Sequence, residues 1–271
     1  MAAGSDRVFS GSIAEIYDQL LVPLIFEPYA RDLAERVAKL EPRDVLEIAA
    51  GTGVVTHAMA SHLPTATKIM ATDLNEPMLA YAKARLAQDN RIEWRQADAL
   101  SLPFETGAFD LVACQFGAMF FPDKVKAFGE ARRVLKPGGH FIFNVWDHIS
   151  ENEFADVVTQ ALATRFPEDP PQFLARIPHG YHDVAQIRAD LEEAGFAEIA
   201  IKLLEEQSRV SSARIPAVAY CQGTPLRAEI EFRDPAGLEA ATDHAASVLE
   251  QRFGSRAVEG RIRALVITAA R

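Results

Sequence analysis

The stretch Asp44-Val45-Leu46-Glu47-Ile48-Ala49-Ala50-Gly51-Thr52-Gly53 constrains this chain more than any other. A short apolar run ends in small residues and two glycines, and a helical pattern begins at once, from Val54 to about Leu63. Buried strand, tight glycine turn and helix form the opening unit of a parallel α/β fold. Twenty positions after Gly53, a second apolar run (Lys68 to Thr72) ends at Asp73. A carboxylate placed there can accept hydrogen bonds from both hydroxyls of a ribose, so the corner suits an adenosine-containing ligand.

The alternation continues. Strands are expected at 44–49, 67–73, 91–97, 109–115 and 140–146, with helices at 54–62, 76–88 and 122–135 between them. Pro137-Gly138-Gly139 is expected to stop the last of these helices and turn the chain into the fifth strand. Beyond 147 the pattern loosens. Four prolines between 148 and 181 leave room for one helix near 151–165. A helix at 183–194 ends at Gly195, and a strand follows at 197–206. Residues 213–253 read as helical with a break near Asp234-Pro235, and 262–269 alternate as a final strand. Three regions result: an N-terminal helical segment (1–40), a ligand-binding core (41–147), and the rest of the sheet with helical insertions (148–271). The insertions, at about 148–181 and 208–258, are long for connections and are expected to cap the site.

Bulk properties narrow the partners. The formal net charge of -10 argues against nucleic acid, whose phosphates demand a basic surface. Cys114 and Cys221 stand far apart, and no His-x-x-x-His occurs beside a carboxylate, so neither a disulfide framework nor a metal site is expected. The chain reads as reduced and cytoplasmic. The run Leu20 to Phe26 contains Pro23 and falls well short of the roughly 20 residues that span a bilayer. It reads as a buried amphipathic helix or lid, without stable membrane insertion.

Later segments sharpen the ligand. Ala71-Thr72-Asp73-Leu74-Asn75-Glu76-Pro77-Met78-Leu79, Gln96-Ala97-Asp98-Ala99 with Leu102-Pro103-Phe104, Phe109-Asp110-Leu111-Val112, and Arg133-Val134-Leu135-Lys136-Pro137-Gly138-Gly139 follow the glycine turn in order. Together they resemble the class I S-adenosylmethionine-dependent methyltransferases, in particular the ubiquinone/menaquinone-biosynthesis group. The resemblance spans at least residues 40–147. It implies a Rossmann-like, doubly wound seven-stranded sheet, the last strand inserted antiparallel between the fifth and sixth. It also implies S-adenosyl-L-methionine as cofactor and a small, apolar or aromatic methyl acceptor; a homodimer is compatible with it.

Carried onto this chain, the resemblance places Glu47, Ala49, Ala50, Gly51, Thr52 and Gly53 along the methionine part of the cofactor. Asp73 would meet the ribose and Asp98 the adenine amino group, with backbone contacts from Ala97 and Ala99. Leu74 and Met78 would pack on the adenine faces, Gln115 and Phe116 would stand at the carboxyl edge of the fourth strand, and Tyr17 would reach in from the N-terminal segment. Ala49 departs from the family, which has glycine there; an alanine fits only with negative φ. Each residue also has a plainer role: Gly51 and Gly53 as an ordinary turn, Asp73 as a helix cap beside the better cap Asn75, Leu74 and Met78 as core.

Methyl transfer asks mainly for positioning. A general base helps with a hydroxyl or acidic carbon acceptor, and His148, His179, Tyr181 and His182 are the candidates; surface histidines in a turn are the alternative. Phe116, Met119, Phe120 and Phe121 either line an apolar acceptor pocket or cover the sheet edge. Competing functions are a nicotinamide-dependent oxidoreductase, disfavoured by Thr56 in the third glycine slot of a dinucleotide fingerprint, and a non-catalytic S-adenosylmethionine-binding protein.

Overall fold

The computed structural model describes residues 12–271. Seven strands form one sheet: β1 (Asp44–Ile48), β2 (Lys68–Asp73), β3 (Ile92–Gln96), β4 (Phe109–Gln115), β5 (Leu135–Trp146), β6 (Glu198–Val210) and β7 (Val258–Ala270). Their order is β3-β2-β1-β4-β5-β7-β6. The first five run parallel. β7 runs against β5: the Arg271 N–H donates to Gly139 O at one end, the Asp147 N–H to Arg263 O at the other. The doubly wound sheet with an antiparallel last strand, inserted between the fifth and sixth, is therefore as expected. The chain order reverses between β1 and β4, where β1 meets β2 on one side and β4 on the other. In open α/β sheets that is the crevice in which ligands bind.

The central strands β1, β4 and β5 are mostly buried because helices cover both faces, whereas β3 and β6 are largely exposed. On one face, Ala30, Leu33 and Val37 of α2 (Glu27–Ala38) and Val55 and Met59 of α3 (Val54–His62) pack on Val45, Ile69, Leu111 and Ile142. On the other, Phe128 of α5 (Lys124–Val134) lies against Phe141 and Phe143, with ring centroids 5.7 and 5.2 Å away. α4 (Glu76–Arg85) follows β2 and contacts β2 and β3. Asp123 starts α5 by accepting the Lys126 N–H at 2.9 Å. Asp123→Ala is expected to cost about 1 kcal/mol of stability, read as a lower denaturant midpoint at unchanged m-value.

Two motif segments prove to be structural. Lys136 Nζ bridges Asp44 and Asp110 at 2.9 Å each, at the amino ends of the parallel strands and away from the ligand edge. Arg133 donates to the carbonyls of Leu102 and Phe104, tying α5 to that loop. The start of β5 differs most from expectation; β6 and β7 also run longer than expected, to Val210 and from Val258. α5 ends at Val134 and β5 begins at Leu135, already paired with Phe109; Pro137-Gly138-Gly139 forms an irregularity within the strand before pairing resumes at His140. Proline can be accommodated there because a bulge needs no ladder hydrogen bond from it.

Chain contacts divide the molecule into two units. One, residues 27–145, 182–204 and 265–271, holds β1 to β4, nearly all of β5, α2 to α5 and α8 (Val184–Glu193). The other comprises 146–181, 205–264 and, of the described residues, those from Ser12 to Phe26. In it, α6 (Glu153–Arg165) and α9 (Arg214–Gln222) pack with α11 (Leu238–Phe253); α7 (Phe173–Arg176) and α10 (Leu226–Arg233) complete it. Its N-terminal part is α1 (Ser12–Ile16) followed by a π-helical stretch, Tyr17–Phe26. Pro23, which has no N–H to donate, lies inside this wide coil, and Leu21, Leu24 and Ile25 are buried. Among the described residues no helix is long and apolar enough to cross a membrane.

Candidate functional site

The crevice at the β1–β4 switch is built from backbone first. Ala49, Gly51 and Gly53 alternate in left-handed conformation, with φ of 56, 57 and 84°. Gly53 can thereby turn the chain straight into α3. Ala49 corrects the expectation of a negative φ. A left-handed alanine costs roughly 1–2 kcal/mol and persists only where neighbours fix it. Here the Ala50 N–H donates to Thr72 O, the Gly51 N–H to Asp73 Oδ2 and the Gly53 N–H to Ala50 O, all at 2.9 Å.

Asp73 ends β2 and holds two segments at once. Its Oδ2 takes the Gly51 N–H, and its Oδ1 takes the Asn75 N–H at 2.7 Å and the Asn75 side-chain amide at 3.3 Å. Burial pushes the carboxyl above the ordinary carboxylate range, opposed by these donors. With two of these donors on Oδ1 and one on Oδ2, a further donor is best taken at Oδ2. Asn75 does occupy the cap position of α4, but its side chain turns back to Asp73 and makes no capping bond.

Glu47 lies beneath the loop, 1% exposed. Thr56 Oγ1 donates to its Oε2 at 2.6 Å. Burial raises Glu47 to about 8, with Thr56 opposing and Asp73 adding to the rise. Thr56, read in sequence only as a missing glycine, is thus the hydroxyl that satisfies the loop's buried acid. Its spacing from Glu47 becomes meaningful only once the turn brings α3 back over β1.

Three observations bear on whether the corner fits an adenosine-type ligand. A side chain at Gly51 would point into open space, with nothing within 4 Å. Thr52 Oγ1 is buried and has no hydrogen-bond partner among the described residues. Leu74, just after Asp73, is 44% exposed although large and apolar. An open backbone approach, an orphaned hydroxyl and an uncovered aliphatic surface beside a carboxylate suit a ligand with polar, ribose and aromatic parts. Met78, by contrast, is buried on α4, as a core residue would be.

The remaining predicted residues of this unit fall at the same edge. The Ala97 N–H donates to Asp73 O, joining the ends of β3 and β2. Asp98 is exposed, and its Oδ1 accepts the Leu100 N–H at 2.9 Å; Ala99 beside it is buried. Gln115 ends β4 and Phe116 follows in left-handed conformation, φ 49°, with its ring edge-on to Tyr29 at 5.3 Å. Sequence reasoning missed Asn144. It is fully buried on β5, and both its backbone O and its Oδ1 accept the Phe116 N–H, at 3.1 and 3.0 Å.

Tyr17, His148, His179 and Tyr181 belong to the other unit, and His182 opens the segment that returns to the first. Within its unit, Tyr17 lies against Phe26 at 5.1 Å between ring centroids. His148 is exposed, and its Nδ1 meets Ser150 Oγ at 2.8 Å. His179 is buried, and its Nδ1 donates to Asp147 O at 2.8 Å. Asp147 is itself held by Arg263 at 2.7 Å. Tyr181 is also buried. Among the described residues no group of three or more His, Cys, Asp or Glu could hold a metal ion. Cys114 and Cys221 are free and buried.

Comparison with known proteins agrees with this corner. A methyltransferase domain model matches residues 46–143. A demethylmenaquinone methyltransferase of Clavibacter sepedonicus is 39% identical over 106 residues, covering 39% of this chain and 42% of that protein. A demethylmenaquinone methyltransferase of Lactococcus lactis is 32% identical over 136 residues, 48% of this chain and 54% of its own length. The ubiquinone/menaquinone biosynthesis C-methyltransferase of Paraburkholderia phytofirmans is 32% identical over 160 residues, 56% and 66% respectively. The chain thus spans about half the length of the curated relatives it matches. Among solved structures, a putative methyltransferase of Bacillus halodurans aligns with TM-score 0.57 and 23% identity over 89% of this chain and 97% of its own. Phosphoethanolamine N-methyltransferase 2 of Haemonchus contortus, solved with S-adenosyl-L-methionine, aligns with TM-score 0.59 and 18% identity over 95% of this chain and 56% of its own. These structural likenesses show the fold.

Proposed function

Since residues 46–143 belong to the class I S-adenosylmethionine-dependent methyltransferases of the quinone-biosynthesis type, we propose that this chain methylates a small, apolar or aromatic molecule. A quinone-like ring is the first acceptor class to test, because the relatives are named for quinone biosynthesis. The observation that carries the reading is the glycine loop. Its open side at Gly51 lies next to Asp73, which already orders that loop through the Gly51 N–H.

S-adenosylmethionine, when bound, supplies a methyl group already activated on a sulfonium. The chain's residues bind and orient. In this reading the loop 49–53 takes the methionine part and Thr52 Oγ1 gains the partner it lacks. Asp73 accepts the ribose hydroxyls, Asp98 the adenine amino group, and Leu74 covers an adenine face. Glu47 acts from below by fixing the loop through Thr56 and α3. Gln115 and Phe116 line the edge of β4. The proposal also includes Tyr17, with His148, His179, Tyr181 and His182 as candidate bases. Of these, His179 is held through its Nδ1–H on Asp147 O, so a base at this position would act through Nε2.

Titration calorimetry with S-adenosylmethionine and with NADH tests the cofactor. Binding of the first and not the second is expected; tight binding of NADH alone would overturn the reading. Transfer of a labelled methyl group across quinols, phenols and carboxylic acids then assigns the acceptor. Cofactor binding without turnover on any of them would favour a non-catalytic role.

A further inference from the structure

The turn after β4 presses on the glycine loop, and one side chain decides whether the two fit. Gly117 lies within van der Waals reach of Ala49. A Cβ on Gly117 would fall 2.5 Å from Ala49 Cβ and 2.8 Å from Cys114 Sγ. Real carbon atoms do not approach so closely, so this space holds one methyl group, and here it belongs to Ala49. The φ of Gly117, -97°, is open to any residue. Glycine is needed there for room, not for backbone freedom.

If a methyl were added at 117, one side would have to yield, and the two sides are unequally held. The turn is pinned. The Phe116 N–H is shared between the backbone O and the Oδ1 of Asn144, and the Phe116 ring stands edge-on to Tyr29. The N–H groups of Gly117 and Ala118 point at Cys114 Sγ. The loop is the softer side. Ala49 already sits in left-handed backbone, and beyond it Gly51 faces open space. A shift at Ala49 passes directly to Gly51, whose N–H on Asp73 Oδ2 sets where the loop points.

The geometry points to Gly117 as a positioning residue for the glycine loop, acting through the methyl of Ala49. The missing glycine at 49 and the glycine at 117 form a matched pair. The alanine narrows the floor of the corner, and the turn after β4 makes room for it. The assignment deepens the cofactor reading of that loop and rests on it for its functional meaning; its structural content stands on the unliganded protein.

The test uses the full chain in a Cys114→Ser background, where a shorter side chain keeps an acceptor and relieves the second contact. Gly117→Ala is compared with the exchange Ala49→Gly/Gly117→Ala. Amide hydrogen exchange without ligand is followed at residues 49–53, and S-adenosylhomocysteine affinity is followed by calorimetry. Gly117→Ala is expected to speed exchange at Gly51 and weaken binding by about tenfold or more, as overpacking does. The exchanged pair is expected to restore slow exchange and to bring affinity back to within roughly threefold of the background. If Gly117→Ala does not fold, the exchanged pair still decides: a folded protein with a protected loop supports the assignment, an unfolded one overturns it. Unchanged exchange in folded Gly117→Ala, or no rescue by Ala49→Gly, also overturns it. A background protein that binds no S-adenosylhomocysteine while the exchange pattern holds overturns the cofactor reading instead.

Discussion

Replacing Asp73 with alanine is expected to weaken S-adenosylmethionine binding by about 1–3 kcal/mol, roughly 5- to 150-fold. Two losses add up. In the proposed pose the ribose hydroxyls lose a charged acceptor, and the Gly51 and Asn75 N–H groups lose the oxygens that hold them at 2.9 and 2.7 Å. The second loss acts before any ligand arrives, because it frees the loop that must be ordered to bind. Asp73→Asn separates the two. It keeps one acceptor oxygen, which can hold Gly51 or Asn75 but not both, and it removes the charge. Its affinity is expected to fall between wild type and Asp73→Ala. Calorimetry measures all three, and an unchanged dissociation constant for Asp73→Ala would remove Asp73 from the site.

That Asp73 could be found without coordinates follows from the sheet. β1, β2 and β4 are buried on both faces, so each is an apolar run whose end is marked by the first polar or small residue, and ligands bind at those ends. The glycine loop and Asp73 are visible for this reason; Asp98 follows the polar, largely exposed β3 and is reached only through the family resemblance. What the sequence hid are relations across the crevice. Nothing local at Ala49 shows that its methyl lies over Gly117, 68 residues on, so its left-handed φ contradicts the conformational rule applied to it alone. Asn144 reads as one polar residue in an apolar strand, and its role depends on the pairing of β5 with β4. In the other unit, buried Glu229 takes the N–H groups of Gln172 and Phe173 at 2.7 and 3.2 Å, a cap supplied from far along the chain. Helical periodicity carries no trace of such a bond.

Glu47→Gln is expected to flatten the fall of stability between about pH 5 and 8. Burial raises the Glu47 carboxyl from 4.5 to about 8, with the Thr56 hydroxyl opposing. Below pH 4.5 the acid is protonated in folded and unfolded chains alike, so it costs nothing. Between 4.5 and 8 the unfolded chain ionises while the folded one keeps its proton, and stability falls by up to about 1.4 kcal/mol per pH unit. Above 8 both forms are ionised and the penalty levels off, at a few kcal/mol in all. Glutamine does not titrate. The difference in melting temperature, Glu47→Gln minus wild type, should therefore grow from pH 5 to 8 and then stay constant, while every other titrating group cancels. A difference independent of pH would show that Glu47 is not held protonated. Thr56→Val provides the converse: without the 2.6 Å hydroxyl, nothing opposes the rise, and the wild-type slope should extend to higher pH. A carboxyl so placed is a burden on the fold at neutral pH, and such burdens gather where a site needs them. Here it lies under the loop that Asp73, Ala49 and Gly117 hold in place.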